Sequence, residues 1–352
     1  MNTTVSEDIK SILADAGIDW AALKNASVFV TGATGLVGAL LVKTLLFYRQ
    51  QSGGTLKVYA LVRDPDKARA MFGADCESKG LVLVQGDVRT PIDLSDPIDY
   101  VIHGASVTAS KYMVTNPVDT LLTSIRGTEN ILKLAAQKQV KGAVYLSSME
   151  VYGQTREEDN PITEDILGYV DLHAPRSSYP EGKRACECLC AAFAAQYGVP
   201  VRIARLAQTF GAGVSSQDGR VFAQFTRSCM EGTDIVLHTA GMSVGNYCYT
   251  ADVIRALLIL LCHGESGQAY NIVNERTSMQ IRQVAQLVSD TLAGGAVKIK
   301  FDIPESSLTY GYAPDVTMRL SAAKMRGLGW NPNVDLPEMF LRLRDSWLEG
   351  GV

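Results

Sequence analysis

Three glycines at three-residue intervals, Gly32, Gly35 and Gly38, interrupt the chain between the apolar run Ser27-Val-Phe-Val-Thr31 and a helix-forming stretch that opens at Leu36. A strand that stops at such a turn and passes directly into a helix commits the chain to an α/β arrangement. Gly32 permits the tight turn, Gly35 lets backbone approach a pyrophosphate, and Gly38 lets the helix pack close to the sheet. Amide donors and the positive dipole end at the helix start suit phosphates. Gly32, Gly35, Leu36 and Gly38 are therefore the candidate dinucleotide cradle, although the spacing is Gly-x-x-Gly-x-x-Gly rather than Gly-x-Gly-x-x-Gly.

The rest of the first half repeats the alternation. Lys57–Val62, Leu81–Val84, Tyr100–His103, Ala143–Leu146 and Val201–Ala204 are short apolar strands, with helices over 36–48, 65–72, 117–137 and 179–197. Apolar strands alternating with helices predict a Rossmann doubly wound parallel sheet covered on both faces. Before it, residues 1–25 read as a helical extension, with Thr4 and Glu7 at capping-box spacing and Gly17 as its stop. Residues 26–207 form the dinucleotide-binding domain. Residues 208–352 read as a smaller C-terminal α/β substrate lobe with an interleaved boundary. It includes strands at Ile235–Leu237 and Ala269–Val273 and helices over 221–230, 252–262 and 278–292. Such a pair makes a cleft at the carboxyl ends of the strands.

The end of the second strand reports on the cofactor's ribose. An acid there binds a free 2′-hydroxyl, and arginine favours a 2′-phosphate. The strand ends Leu61-Val-Arg63-Asp64. Arg63 leans toward NADP, and Asp64 keeps NAD open. Asp87 and Val88, after the third strand, are placed to meet the adenine, and Ala105, after the fourth, passes under the dinucleotide.

Tyr179 and Lys183 stand four residues apart on a predicted helix, hence on one face. A phenol keeps its proton to about pH 10. A neighbouring ammonium lowers that value, so the pair can serve as a general base near neutrality.

Composition narrows the remaining classes. A net charge of −4 gives no reason to expect nucleic acid. No apolar run reaches membrane-spanning length, and the start lacks the pattern of a signal peptide. Seven scattered cysteines fit reduced thiols in a cytoplasmic protein. The four histidines show no ligand spacing, so no metal is expected.

Together, the glycine turn, Ser147-Ser-Met-Glu-Val-Tyr-Gly153 and Tyr179-Pro-Glu-Gly-Lys-Arg184 resemble the extended short-chain dehydrogenase/reductase superfamily, in its nucleotide-sugar branch. The chain is most similar there to UDP-glucuronate decarboxylases, through His103-Gly-Ala-Ser106, Tyr112-Met-Val-Thr-Asn-Pro117, Asp218-Gly-Arg-Val221 and a C-terminal segment from Arg319 to Pro332. The resemblance implies Tyr179 as base, Lys183 as its tuner and ribose ligand, and Ser148 as partner of the reacting oxygen. Glu150 matches a glutamate of dehydratases and decarboxylases that can act at the sugar C5. Ser106, Tyr112, Gln208 and Arg220 are the implied substrate contacts, with Arg220 toward the diphosphate of a nucleotide-diphosphate sugar. It also implies a tightly bound cofactor, NADP or NAD, and a homodimer through excess apolar residues: Leu121, Leu122 and Ile125 on one helix, Leu189, Phe193 and Ala194 on the other.

Three positions depart from that pattern. Met149 stands where 4,6-dehydratases carry aspartate, and a thioether cannot donate a proton. Gly245 stands where relatives carry a substrate-holding arginine, and Gln208 where asparagine is common. The implied chemistry is oxidation at C4 followed by decarboxylation. Epimerisation, 4,6-dehydration, an NADPH-dependent reduction and a non-catalytic dinucleotide sensor are the alternatives.

Overall fold

The computed structural model describes residues 2–303 and 316–350. Its strands are β1 (Ser27–Thr31), β2 (Lys57–Val62), β3 (Leu81–Gln85), β4 (Tyr100–His103), β5 (Gly142–Ser148), β6 (Val201–Leu206), β7 (Gln208–Phe210), β8 (Ile235–Leu237), β9 (Val244–Tyr249), β10 (Ala269–Ile272), β11 (Asn274–Gln280) and β12 (Ile299–Phe301). Seven of them form one sheet in the order β10-β6-β5-β4-β1-β2-β3, with every pairing parallel. Strand order reverses between β1 and β4, which opens a crevice above their carboxyl ends.

Burial on both faces explains why these strands are continuous apolar runs. All five residues of β1 and all four of β4 are buried. One face packs under helices Leu36–Ser52 and Thr250–His263, the other under Pro117–Lys138 and Ser178–Tyr197. The Thr250–His263 helix is buried almost throughout, as its Leu257-Leu-Ile-Leu-Leu261 run requires. β9 pairs with β7 and β11 in a smaller sheet, and β8 with β12 in a two-stranded one.

Three local expectations are corrected. Ala269–Ile272 is not a strand of the smaller lobe: it joins the large sheet beside β6, with Ala269 opposite Ile203. An apolar run carries no record of which distant edge it completes. Residues 274–280 are a strand held against Gly245 and Val244, so the helix expected from Ser278 begins at Ile281. The first helix is capped by Asn2, whose side chain accepts from the Val5 amide at 3.2 Å, and not by Thr4. It ends at Leu13, ahead of Gly17. Among the described residues no helix is long and apolar enough to cross a membrane.

The N-terminal helix is tied down from beneath. The Tyr249 hydroxyl donates to Asp8 at 2.7 Å, and Arg342 of the last helix reaches the same carboxylate at 3.1 Å.

Candidate active site

The glycine turn lies at the end of β1, on the crevice. Gly32 has φ +69°, and a Cβ there would stand 2.7 Å from the Gly104 carbonyl carbon at the end of β4. A Cβ on Gly38 would stand 2.2 Å from the Gly32 oxygen. Side chains at either position would push the turn off the helix or the neighbouring strand. Gly35 is the N-cap and supplies no capping side chain, so the first amides of the Leu36–Ser52 helix meet no side-chain acceptor. A backbone cradle with unclaimed amides at a helix start fits a dinucleotide diphosphate.

His103 braces this turn. Its Nδ1 pairs with Thr31 Oγ1 at 2.7 Å and its Nε2 with Thr128 Oγ1 at 3.2 Å, while Thr31 Oγ1 also accepts from the Ala105 amide at 3.1 Å. Burial, seconded by the Lys183 charge, pushes the imidazole pKa down to about 3. It is a neutral tie between strand ends and the Pro117–Lys138 helix.

At the far end of the crevice, Asp64 accepts from the Asp66 and Lys67 amides at 3.0 Å each and caps the next helix. Arg63 is exposed. Asp87 is gripped by Arg89 at 2.9 and 3.1 Å, and that hydrogen bonding holds its carboxyl below the usual range, with Arg63 adding a smaller pull. Arg89 carried no signal in the sequence beyond its charge. Val88 is buried against Gly127.

β5 delivers Ser148 to the crevice. Its hydroxyl accepts from the Glu150 amide at 3.2 Å and so caps the short turn Met149–Tyr152. Tyr179 and Lys183 occupy the first two turns of the Ser178–Tyr197 helix, and both are buried. Ser148 acts on the Tyr179 phenol and favours its ionised form, so β5 and this helix converge on one phenol.

The electrostatics differ from the expectation. Burial, reinforced by the Glu150 carboxylate, pushes the Tyr179 phenol up to about 12; Ser148 and Arg176 oppose it. The Lys183 ammonium donates to the Leu146 carbonyl at 2.7 Å and lies 5.8 Å from the Tyr179 ring centroid. Burial brings its pKa down to about 8. Lys183 is thus not the cation that lowers the phenol here, because removal from water outweighs a charge spent on a backbone carbonyl.

That cation is Arg176, a residue given no role from sequence. The turn Pro175–Ser177 places its Nη2 2.8 and 2.7 Å from the two Glu150 oxygens, with Cζ 5.4 Å from the Tyr179 centroid. Its only sequence signal is a basic residue three positions before the tyrosine. A second unforeseen group lies behind the site. Glu187 accepts from Ser147 at 2.5 Å and from Arg205 at 2.7 Å. Arg205 reaches the Tyr152 hydroxyl at 3.0 Å, which donates to Asn271 at 2.6 Å. This chain locks β5, the tyrosine helix, β6 and β10 together.

The residues expected to hold substrate make local bonds. Ser106 donates to the Val107 carbonyl at 3.4 Å, and the exposed Tyr112 to Asp119 at 3.3 Å. Arg220 is paired with Asp218 at 2.7 Å and rests on Phe222 at 4.7 Å. Gln208 is exposed at the start of β7. At Gly245 a Cβ would stand 2.4 Å from the Tyr247 hydroxyl, so that ring fills the space a side chain would need.

A parallel sheet with a glycine cradle at its switch point, and a Tyr-Lys helix beside it, defines a dinucleotide-dependent class of protein. The chain belongs to the NAD dependent epimerase/dehydratase family, whose model matches residues 28–274. It is 33% identical over 257 residues to UDP-glucuronic acid decarboxylase 1 of Xenopus tropicalis, covering 73% of this chain and 58% of that protein. Against UDP-glucuronic acid decarboxylase 6 of Arabidopsis thaliana it is 30% identical, covering 89% and 86%. Among solved structures, the UDP-glucose 4-epimerase of Thermotoga maritima, determined with UDP-glucose, matches with a TM-score of 0.74 at 20% identity, covering 93% of this chain and 100% of that one.

Proposed function

We propose that the protein oxidises the sugar of a nucleotide-diphosphate sugar at C4 and, as in the decarboxylases it resembles, releases carbon dioxide from a uronic acid. The observation that carries this reading is the convergence of Ser148, Glu150 and Arg176 on the buried Tyr179 phenol, beside the glycine cradle. A nicotinamide dinucleotide held by Gly32, Gly35, Leu36, Gly38 and Ala105 supplies the hydride acceptor. Tyr179 is assigned as the base for the C4 hydroxyl proton, while Ser148 hydrogen-bonds the same oxygen. Ser148 and Arg176 oppose the rise that burial and Glu150 impose on the Tyr179 phenol. The resulting 4-keto group makes a C6 carboxylate a β-keto acid, whose C5–C6 bond breaks with loss of carbon dioxide. C5 then takes a proton, a step assigned to Glu150, and C4 regains its hydride as its oxygen regains the proton held by Tyr179. Met149 offers no proton to a leaving hydroxyl, which disfavours 4,6-dehydration.

The finer features belong to the same proposal. Asp64 is occupied as a helix cap while Arg63 is exposed, which supports NADP with Arg63 on the 2′-phosphate and Asp87 and Val88 near the adenine. Lys183 is assigned to the ribose, Ser106, Tyr112 and Gln208 to the sugar nucleotide, and Arg220 to its diphosphate. Residues 26–207 are assigned to cofactor and 208–352 largely to substrate. The cofactor is regenerated in each turnover and stays bound. Seven scattered cysteines suit reduced thiols in a cytoplasmic location.

Two observations favour a second reading. Both Glu150 oxygens are engaged by Arg176, and Gly245 lacks the arginine of relatives. A site that leaves C5 untouched is a 4-epimerase for a neutral sugar. Incubation with UDP-glucuronate, followed by mass spectrometry, separates the two. Loss of one carbon dioxide from the nucleotide sugar is expected. No loss, with interconversion of UDP-glucose and its C4 epimer, would establish the second.

A further inference from the structure

Arg176 is assigned no proton, hydride or ligand contact above, yet it joins the two ionisable groups of the site. Nη2 binds both oxygens of Glu150, and Cζ faces the Tyr179 ring at 5.4 Å. Nη1 is buried with no hydrogen-bond partner among the described residues. Ion pairs that keep contact with water add little stability, and an unpaired buried N–H costs some. Stability alone therefore does not account for the arrangement.

We infer that Arg176 is a positioning residue of the acid-base site: it anchors the Glu150 carboxylate and sets against the Tyr179 ring a positive charge that offsets the negative one. The two charges act on one phenol in opposite senses, Glu150 favouring the protonated form and Arg176 the phenolate. The other groups facing Tyr179 are few. Lys183 spends a hydrogen bond on Leu146, Ser148 favours the phenolate, and Tyr145 is buried, its phenol pushed up by burial. With Arg176 removed, Glu150 would act on the phenol unopposed. With both removed, the opposed effects of Glu150 and Arg176 are lost together.

The inference rests on Tyr179 as the acid-base group, so its test reads that phenol without substrate. Tyr179 is replaced in the full-length chain by 3,5-difluorotyrosine, whose phenol is intrinsically more acidic, and its titration is followed by fluorine NMR. Arg176→Gln is expected to raise the midpoint by about one to three units, the usual effect of a single charge at this range. Arg176→Lys should raise it less. In a Glu150→Gln background, adding Arg176→Gln should again raise the midpoint, a comparison that does not need the single variant to fold. A midpoint unmoved by loss of Arg176 in either background overturns the inference. Retained turnover in Tyr179→Phe would instead overturn the functional reading and leave the titration result standing.

Discussion

Lys183 and Tyr179 share one face of a helix, yet the ammonium, 5.8 Å from the ring centroid, gives its hydrogen bond to the Leu146 carbonyl at 2.7 Å. The lysine thereby pins the helix to β5, and the tyrosine's proton is held by burial, reinforced by Glu150 and opposed by Ser148 and Arg176.

Two substitutions separate these roles. Tyr179→Phe should cut turnover by about a hundred- to ten-thousand-fold, the usual contribution of a general acid-base group, and leave cofactor binding intact in calorimetry. Lys183→Met should damage both turnover and binding. It should also lower stability by about 1–3 kcal/mol, since it strands a buried carbonyl. Equal melting of Lys183→Met and the parent would contradict the structural part.

Glu150→Gln tests the later step. If Glu150 handles the proton at C5, C4 oxidation should survive and reduced nicotinamide should accumulate on mixing with UDP-glucuronate, seen as near-ultraviolet absorbance. Unchanged turnover would transfer support to epimerisation.

Arg63 decides the cofactor. Arg63→Ala should weaken NADP about tenfold, within the range for a lost charged hydrogen bond, and leave NAD unaffected. Fluorescence titration with both dinucleotides measures the ratio. Equal weakening would remove Arg63 from the 2′-phosphate.

Acid stability carries two opposed contributions. His103 has a folded pKa of about 3 against 6.5 unfolded. The unfolded chain therefore binds more protons between those values, and stability falls by about 1.4 kcal/mol per unit as pH drops below 6.5. Asp8, raised mainly by burial from 3.8 to about 6, binds its proton more tightly in the fold. It adds stability as pH falls through 6 toward 4. Melting curves from pH 7 to 4 should show a shallower acid loss for His103→Gln than for the parent, and a steeper one for Asp8→Asn. The reverse order would refute the assignment.

A homodimer is proposed from leftover apolar surface. Phe193 is buried within its own chain, but Leu121, Leu122, Ile125 and Leu189 are only partly covered, on two helices that pack together. Two such faces related by a twofold axis would form a four-helix contact. Light scattering should give a dimer mass, reduced to monomer by Leu122→Glu. A monomeric parent would end the proposal.

Local chemistry alone was enough for the first half of the fold. Strands 27–31 and 57–62 and helix 65–72 end where their turn and cap residues end them, and the glycine cradle needs no distant partner to be recognised. The Tyr179–Lys183 face follows from helical periodicity in the same way. What the tertiary structure decided depends on groups far apart in the chain. Ala269–Ile272 became the sheet's seventh strand because β6 offered an open edge. Arg176 became part of the site because a turn returned it to Glu150, 26 residues away. Spacing placed Lys183 beside Tyr179, but which charge governs the phenol was set by burial and by the Leu146 carbonyl. These are properties of the packed interior, where dielectric and competing partners outweigh proximity along a helix.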